Sequence, residues 1–228
     1  MIWAIVPAKT LEQAKTRLAS ILSPEERREL CLAMLRDVLS ALRSAEHLAG
    51  ITVVTADATI AETARTLGAE VVAEQTTGQN AALEAGMAYC RERGASEVLI
   101  VSADLPLLCP ATVEQLLAQA HQSEQNHLVL LAPSRDGTGT NAMLQRPPGV
   151  IPFLFGINSL QQHQQAAAER GVQVDLVQVD GLAFDVDLPA DLIDLLNSPC
   201  QTHTQAALAQ MCLPQRLCEP FYRETAVS

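Results

Sequence analysis

The chain has 228 residues, 15 Lys and Arg against 26 Asp and Glu, a net charge of −11, and 48% apolar residues. That hydrophobic content excludes a disordered chain, and no apolar run approaches the ~20 residues of a membrane span. The acidic balance and an aromatic content of only 3% exclude the basic surfaces and stacking platforms of nucleic-acid binders. Ile2–Val6 is a short apolar run ending at Pro7, as in a buried strand. Ser23-Pro24-Glu25-Glu26 is a capping box with Pro at the first helical position and opens a helix to about Arg43. Ile51–Val54 is a second strand, and Asp57 caps a helix that Gly68 ends. Glu70–Ala73 is a third strand. Ala81–Arg93 is helical, Glu97–Val101 is a fourth strand, Pro110 to about His121 a helix, and His127–Leu131 a fifth strand.

Repeated βα units predict a mostly parallel sheet covered by helices on both faces: one α/β, Rossmann-like, three-layer domain. From Ala132 to Pro152 the pattern reads as a long Gly- and Pro-rich loop carrying a short strand at Ala142–Leu144. A helix is expected over Asn158–Arg170, strands over Val172–Val179 and Leu182–Val186, and a short helix over Pro189–Leu196. The domain is expected to span 1–197. Residues 198–228 read as a peripheral tail with one amphipathic stretch.

The amino terminus, Met-Ile-Trp-Ala-Ile-Val-Pro, has no basic n-region or long h-region and does not read as a signal peptide; the six cysteines are expected as free thiols, as in a cytoplasmic protein. Cys31, Cys90 and Cys109 sit among apolar neighbours and read as small buried hydrophobes. Cys200, His203, Cys212 and Cys218 fit no common zinc spacing. His47, His121, His127, His163 and His203 lie in no motif and read as incidental or on the surface.

In open α/β sheets, ligands bind beyond the carboxyl ends of the strands. After the first strand come Lys9, Lys15 and Arg17, three cations within nine residues of an acidic protein. They suit a polyphosphate, the alternative being a solvated basic loop; no GxGxxG and no P-loop is present. After the fourth strand comes Asp104, either poised at the sheet's active edge or a turn former. Asp185 and Asp187 stand two apart, so an extended backbone would put both carboxylates on one face, roughly 7 Å apart. Such a pair calls for a cation, and Mg²⁺ takes one or two carboxylates plus substrate phosphates. The loop Arg135–Asn141 is small, flexible and hydrogen-bonding, and Phe155–Ser159 leads into a helix whose first N–H groups can seat an anion. The set suits nucleotidyl transfer to an acceptor that is itself a phosphate, where the nucleophile is already anionic and catalysis rests on positioning and charge neutralisation.

Seven runs stand in one order: Val6-Pro7-Ala8-Lys9, Ala14-Lys15-Thr16-Arg17-Leu18-Ala19, Leu22-Ser23-Pro24-Glu25-Glu26-Arg27-Arg28, Asp104-Leu105-Pro106, Gly137-Thr138-Gly139-Thr140-Asn141-Ala142, Phe155-Gly156-Ile157-Asn158-Ser159 and Phe184-Asp185-Val186-Asp187-Leu188-Pro189. Together, over residues 1–196, they resemble the 2-phospho-L-lactate and phosphoenolpyruvate guanylyltransferases of coenzyme F-420 biosynthesis. The resemblance implies a nucleotide-diphospho-sugar transferase-like fold, GTP and Mg²⁺. The acceptor it implies is a phosphorylated three-carbon acid: phosphoenolpyruvate, 2-phospho-L-lactate or 3-phosphoglycerate. It implies triphosphate contacts at Lys9, Lys15 and Arg17, nucleotide contacts also at Pro7 and Asp104, a catalytic role for Lys9, Lys15, Arg17 and Asp104, metal contacts at Asp104, Asp185 and Asp187, and acceptor contacts at Thr140, Gly156 and Ser159. Asn80, in Gly78-Gln79-Asn80-Ala81-Ala82-Leu83, falls near base and ribose, although Gln79 departs from the family pattern. A cytidylyl- or uridylyltransferase, or a GTP-binding module without turnover, are the competing readings. The amphipathic helices are compatible with a homodimer, and a hand-over of product to a downstream transferase fits the pathway.

Overall fold

The computed structural model describes residues 1–74 and 78–218. Seven strands form one sheet: β1 (Ile2–Pro7), β2 (Leu48–Thr55), β3 (Glu70–Ala73), β4 (Glu97–Val101), β5 (Leu128–Pro133), β6 (Thr140–Arg146) and β7 (Gln173–Leu176), in the order β3-β2-β1-β4-β6-β5-β7. The pairs β3/β2, β2/β1, β1/β4 and β5/β7 are parallel, and β6 runs antiparallel to both neighbours. The helices are α1 (Pro24–Arg43), α2 (Ala58–Thr66), α3 (Gln79–Glu92), α4 (Pro110–Gln122), α5 (Ser159–Glu169), α6 (Asp180–Ala183), α7 (Pro189–Asn197), α8 (His203–Gln210) and α9 (Leu213–Cys218). The expected start signals act as read. Ser23 and Glu26 close a capping box, and the Asp57 carboxylate accepts the N–H groups of Thr59 and Ile60.

Both sheet faces are covered, so the central strands β1, β4, β5 and β6 bury nearly every position, while the edge strands β3 and β7 stay partly exposed. Along β1, Ala4 and Val6 face a core with α1, α2 and α4, while Trp3 and Ile5 face one with α3. That is period-two alternation with both sides apolar. Helix α3 packs unusually close: a Cβ on Gly86 would stand 2.8 Å from Val54 and 2.9 Å from Ile5. This sets the depth of α3, and with it the position of its amino-terminal turn.

Three expectations are corrected here. The region after β5 is not a loop with a fragment of strand. It returns as the seven-residue β6, which fills the one-strand gap that the β4–α4–β5 crossover leaves. Leu182–Val186 is not a strand. Leu182, Phe184 and Val186 are buried while Ala183, Asp185 and Asp187 are half-exposed, so the alternation is real. Its buried members, however, pack against helices and no neighbouring strand pairs with it. The strand expected over Val172–Val179 is likewise reduced to the four residues of β7, an edge strand paired only with β5.

The tail is not peripheral over its described residues. Leu208 and Leu213 are fully buried in a third cluster with Leu18, Ile21, Leu22, Phe184, Val186 and Leu195. The buried Asp37 carboxylate on α1 accepts the N–H groups of His203 and Thr204 and the Thr204 hydroxyl at 2.6–3.0 Å. A backbone that ends near 198 would leave that carboxylate without partners, a cost of roughly 1–3 kcal/mol or more. The side chain of Cys218 and residues 219–228 lie outside the described residues.

Candidate active site

The site forms at the carboxyl ends of β1 and β4. After Pro7 the chain leaves the sheet through two short 3-10 turns, Leu11–Gln13 and Thr16–Leu18. Lys15 sits between them in the left-handed conformation (φ 51°), which turns its side chain back across the sheet edge. Its Nζ donates to Asp104 Oδ2 at 2.6 Å and to Asp187 Oδ1 at 2.8 Å. One cation thus joins three distant parts of the chain. Burial pushes the Lys15 ammonium down, but the charges and hydrogen bonds of Asp104 and Asp187 outweigh it and leave the pKa raised. For Asp187 burial pushes upward, yet Lys15, Arg17 and Lys9 together hold the carboxyl below its ordinary value. Arg17, 70% exposed, reaches Asp187 only at 3.7 Å. An exposed pair of that length contributes little to stability, so the Arg17 guanidinium is available to an incoming anion.

A cavity of about 790 Å³ opens here. Its wall includes Pro7, Lys9, Lys15, Asp104 and Asp187, with Met34, Leu35, Ile60 and Ala82 supplying apolar surface. Its size and its pairing of a charged end with an apolar wall suit a nucleotide. Cys31 lines it too, half-buried, its thiol pushed up to about 11 mainly by burial. Cys109, expected inside, is exposed; it stands just ahead of α4 with its Sγ 3.2 Å from Thr112 Oγ1. Cys90 is buried as expected. A second cavity of about 370 Å³, lined by His127, Pro147, Pro148 and Arg170, lies at the opposite sheet edge and holds no carboxylate.

Asp185 is the third carboxylate. Burial raises its pKa, and the charges of Asp104 and Asp187 add to the rise, while a hydrogen bond from Asn141 Nδ2 at 3.0 Å opposes it. The Val186 N–H donates to Asp104 O at 3.2 Å, fastening the two acidic segments together. Among the described residues no group of three or more His, Cys, Asp or Glu is disposed to hold a metal ion, and the Lys15 ammonium bridges two of the three carboxylates.

The acceptor residues expected from the sequence lie beside this cavity and are not in its wall. Thr140 and Ser159 are buried, and the Thr140 N–H donates to Ser159 Oγ at 2.9 Å. Gly156 is exposed with φ +140° and open space where a Cβ would stand. The Asn80 side-chain amide exchanges two hydrogen bonds with the backbone of Phe155.

Sequence reading missed four residues. Asn141 anchors Asp185 and also donates to Leu182 O and Ala183 O. It follows Thr140 on β6, and period two sends the neighbours to opposite faces, one to each half of the site. Asp191 Oδ2 accepts the N–H groups of Asp187 and Leu188, and Arg135 holds Asp191 at 2.6 Å and Asp194 at 2.7 Å. His163, read as incidental, is fully buried. Its Nε2 accepts the Leu154 N–H at 3.0 Å, and its Nδ1 faces Thr140 Oγ1 at 3.1 Å. The signal for it was positional: His163, Ala166 and Ala167 share the inward face of α5.

A model of the guanylyl transferase family described as CofC-like matches residues 2–217. The chain belongs to that family. It is 44% identical over 194 residues to the phosphoenolpyruvate guanylyltransferase of Rubrobacter xylanophilus, covering 85% of this chain and 93% of that one. It is also 36% identical over 197 residues to the 3-phospho-D-glycerate guanylyltransferase of Colwellia psychrerythraea, covering 86% and 92%. Membership makes the chain a nucleotidyltransferase enzyme. In fold, it matches a candidate nucleotide-diphospho-sugar transferase from Desulfovibrio desulfuricans with a TM-score of 0.74 at 19% identity, over 94% of this chain and 96% of that one. This is the architecture expected from the sequence. The family match runs through α8 into α9, in keeping with their place in the third core cluster. No helix among the described residues is long and apolar enough to cross a membrane.

Proposed function

We propose that this guanylyl transferase joins GTP to phosphoenolpyruvate and releases pyrophosphate, in the cytoplasm, as a step of coenzyme F-420 biosynthesis. One observation carries the reading: a buried lysine, locked between Asp104 and Asp187, stands in the wall of a nucleotide-sized cavity beside a second, anion-suited segment. The name of the relative at 44% identity supports phosphoenolpyruvate over the other acids, and the relative at 36% makes 3-phosphoglycerate the competitor.

The chemistry follows from the charges. Lys9, Lys15 and Arg17 would hold the triphosphate. A phosphate oxygen of the acid attacks the α-phosphorus, the bond from that phosphorus to the bridging oxygen breaks, and pyrophosphate leaves. The attacking oxygen is already an anion, so no base need take a proton, and none of the site side chains is called on for that role. What the chain must supply is alignment and neutralisation. The donor type suits Mg²⁺, being all carboxylate oxygen, and Lys15 would have to release Asp104 or Asp187 to the ion; the raised Asp185 pKa comes first from burial and then from the charges of Asp104 and Asp187. Asp104 with Asp185 or Asp187 would hold it alongside the substrate phosphates. Bound there, Mg²⁺ supplies Lewis-acid neutralisation of the triphosphate.

The test is to incubate the protein with GTP, Mg²⁺ and each of the three acids in turn, follow pyrophosphate, and weigh the product by mass spectrometry. Release with phosphoenolpyruvate and a guanosine diphosphate-linked product are expected. Release with CTP or UTP in place of GTP, or with no acid at all, would overturn the reading.

A further inference from the structure

The segment Leu154–Asn158 ends the connection from β6 to α5 and has neither helix nor strand, so its backbone polar groups need partners from elsewhere. They find them in side chains. The Leu154 N–H donates to His163 Nε2 at 3.0 Å. The Phe155 N–H donates to Asn80 Oδ1 at 2.9 Å, and Asn80 Nδ2 donates back to the Phe155 carbonyl at 3.2 Å. The Phe155 ring packs edge-on against His163, centroids 4.9 Å apart. Beyond these two clamps lie Gly156 at φ +140°, Ile157 at 87% exposure and Asn158 at φ +54°.

Asn80 belongs to the first turn of α3. Its neighbours Gly78, Gln79 and Ala82 line the nucleotide cavity, while its own amide is spent on Phe155. A primary amide presents one donor and one acceptor side by side, matching the N–H and C=O of a single residue. One helical turn therefore touches the nucleotide cavity with one face and the acceptor segment with the other. We infer that Asn80 is a positioning residue for the acceptor acid, fixing the Leu154–Ser159 segment against the nucleotide half, and is not a nucleotide ligand. This rests on the reading that Thr140, Gly156 and Ser159 receive the acid. His163 is the second clamp of the same segment.

The experiment separates the two substrates. GTP affinity of Asn80→Ala and Asn80→Asp is measured by calorimetry without acid, and KM for phosphoenolpyruvate at saturating GTP. Asn80→Asp keeps the acceptor for the Phe155 N–H but sets a carboxylate against the Phe155 carbonyl, so it tests the inference even should Asn80→Ala fold poorly. Both variants are expected to raise the acceptor KM about tenfold, the scale of one or two lost hydrogen bonds, with GTP affinity within about twofold of the parent. Exchange of the Phe155 amide with deuterium should accelerate in Asn80→Ala. A fall in GTP affinity equal to the rise in acceptor KM, or no change in either, overturns the inference. A parent protein inactive with every acid sinks the functional reading, and this inference with it.

Discussion

His163 offers a stability test that depends on one proton. Its imidazole is fully buried, and burial pushes its pKa from 6.5 down to about 4. The unfolded chain therefore binds that proton more tightly than the folded one. Stability from this group is complete above pH 6.5, falls as the pH drops from 6.5 toward 4, and levels off below. At roughly 1.4 kcal/mol per pH unit the full loss is about 3 kcal/mol, and at pH 5 about 2 kcal/mol has already gone. Near the melting temperature of a chain this size, 2 kcal/mol corresponds to about 4–8 °C. His163→Gln keeps an oxygen for the Leu154 N–H and removes the titration. Urea unfolding of parent and variant at pH 7.5 and pH 5 cancels every other titrating group in the difference. The parent should lose about 2 kcal/mol more than the variant over that interval. Parallel losses would show that His163 either takes up a proton in the folded state without penalty or is open to water, and the clamp on Leu154 would have to be abandoned.

Three further outcomes are expected. Lys15→Met should lower kcat/KM for GTP by 10²–10³, about the value of one buried donor to a developing charge, and should raise the Asp187 pKa, read by carboxyl carbon NMR; unchanged turnover would remove Lys15 from the site. Asp104→Asn should fold as the parent does by circular dichroism yet lose Mg²⁺-dependent pyrophosphate release by at least about a hundredfold, scaled to lost charge neutralisation at the reacting phosphates; full activity would count against the metal assignment. Asp37→Ala should cost roughly 2–3 kcal/mol in urea unfolding, because three donors from α8 lose a charged acceptor at once; a loss below about 0.5 kcal/mol would mean that α8 does not depend on this anchor.

Local chemistry alone determined much of this protein. Capping at Ser23 and Asp57, apolar runs of strand length and glycines at helix ends are decided within a few residues, and so were legible. Charge placed just beyond a buried strand also singled out Lys15, Asp104 and Asp187 in the sequence, and the fold brings the three together in one cluster. Tertiary structure decided what depends on distant partners. The full length of β6 came from the gap between β4 and β5, and Leu182–Val186 stayed unpaired because helices, not a strand, took its buried side. Only folding showed that Lys15 bridges two aspartates 89 and 172 residues away, that the tail closes the third core cluster, and that Asn80 and His163 serve the backbone of another segment. Hydrogen bonds of that kind leave no period in a sequence, because their spacing is set by the path of the chain and not by the repeat of a helix or strand.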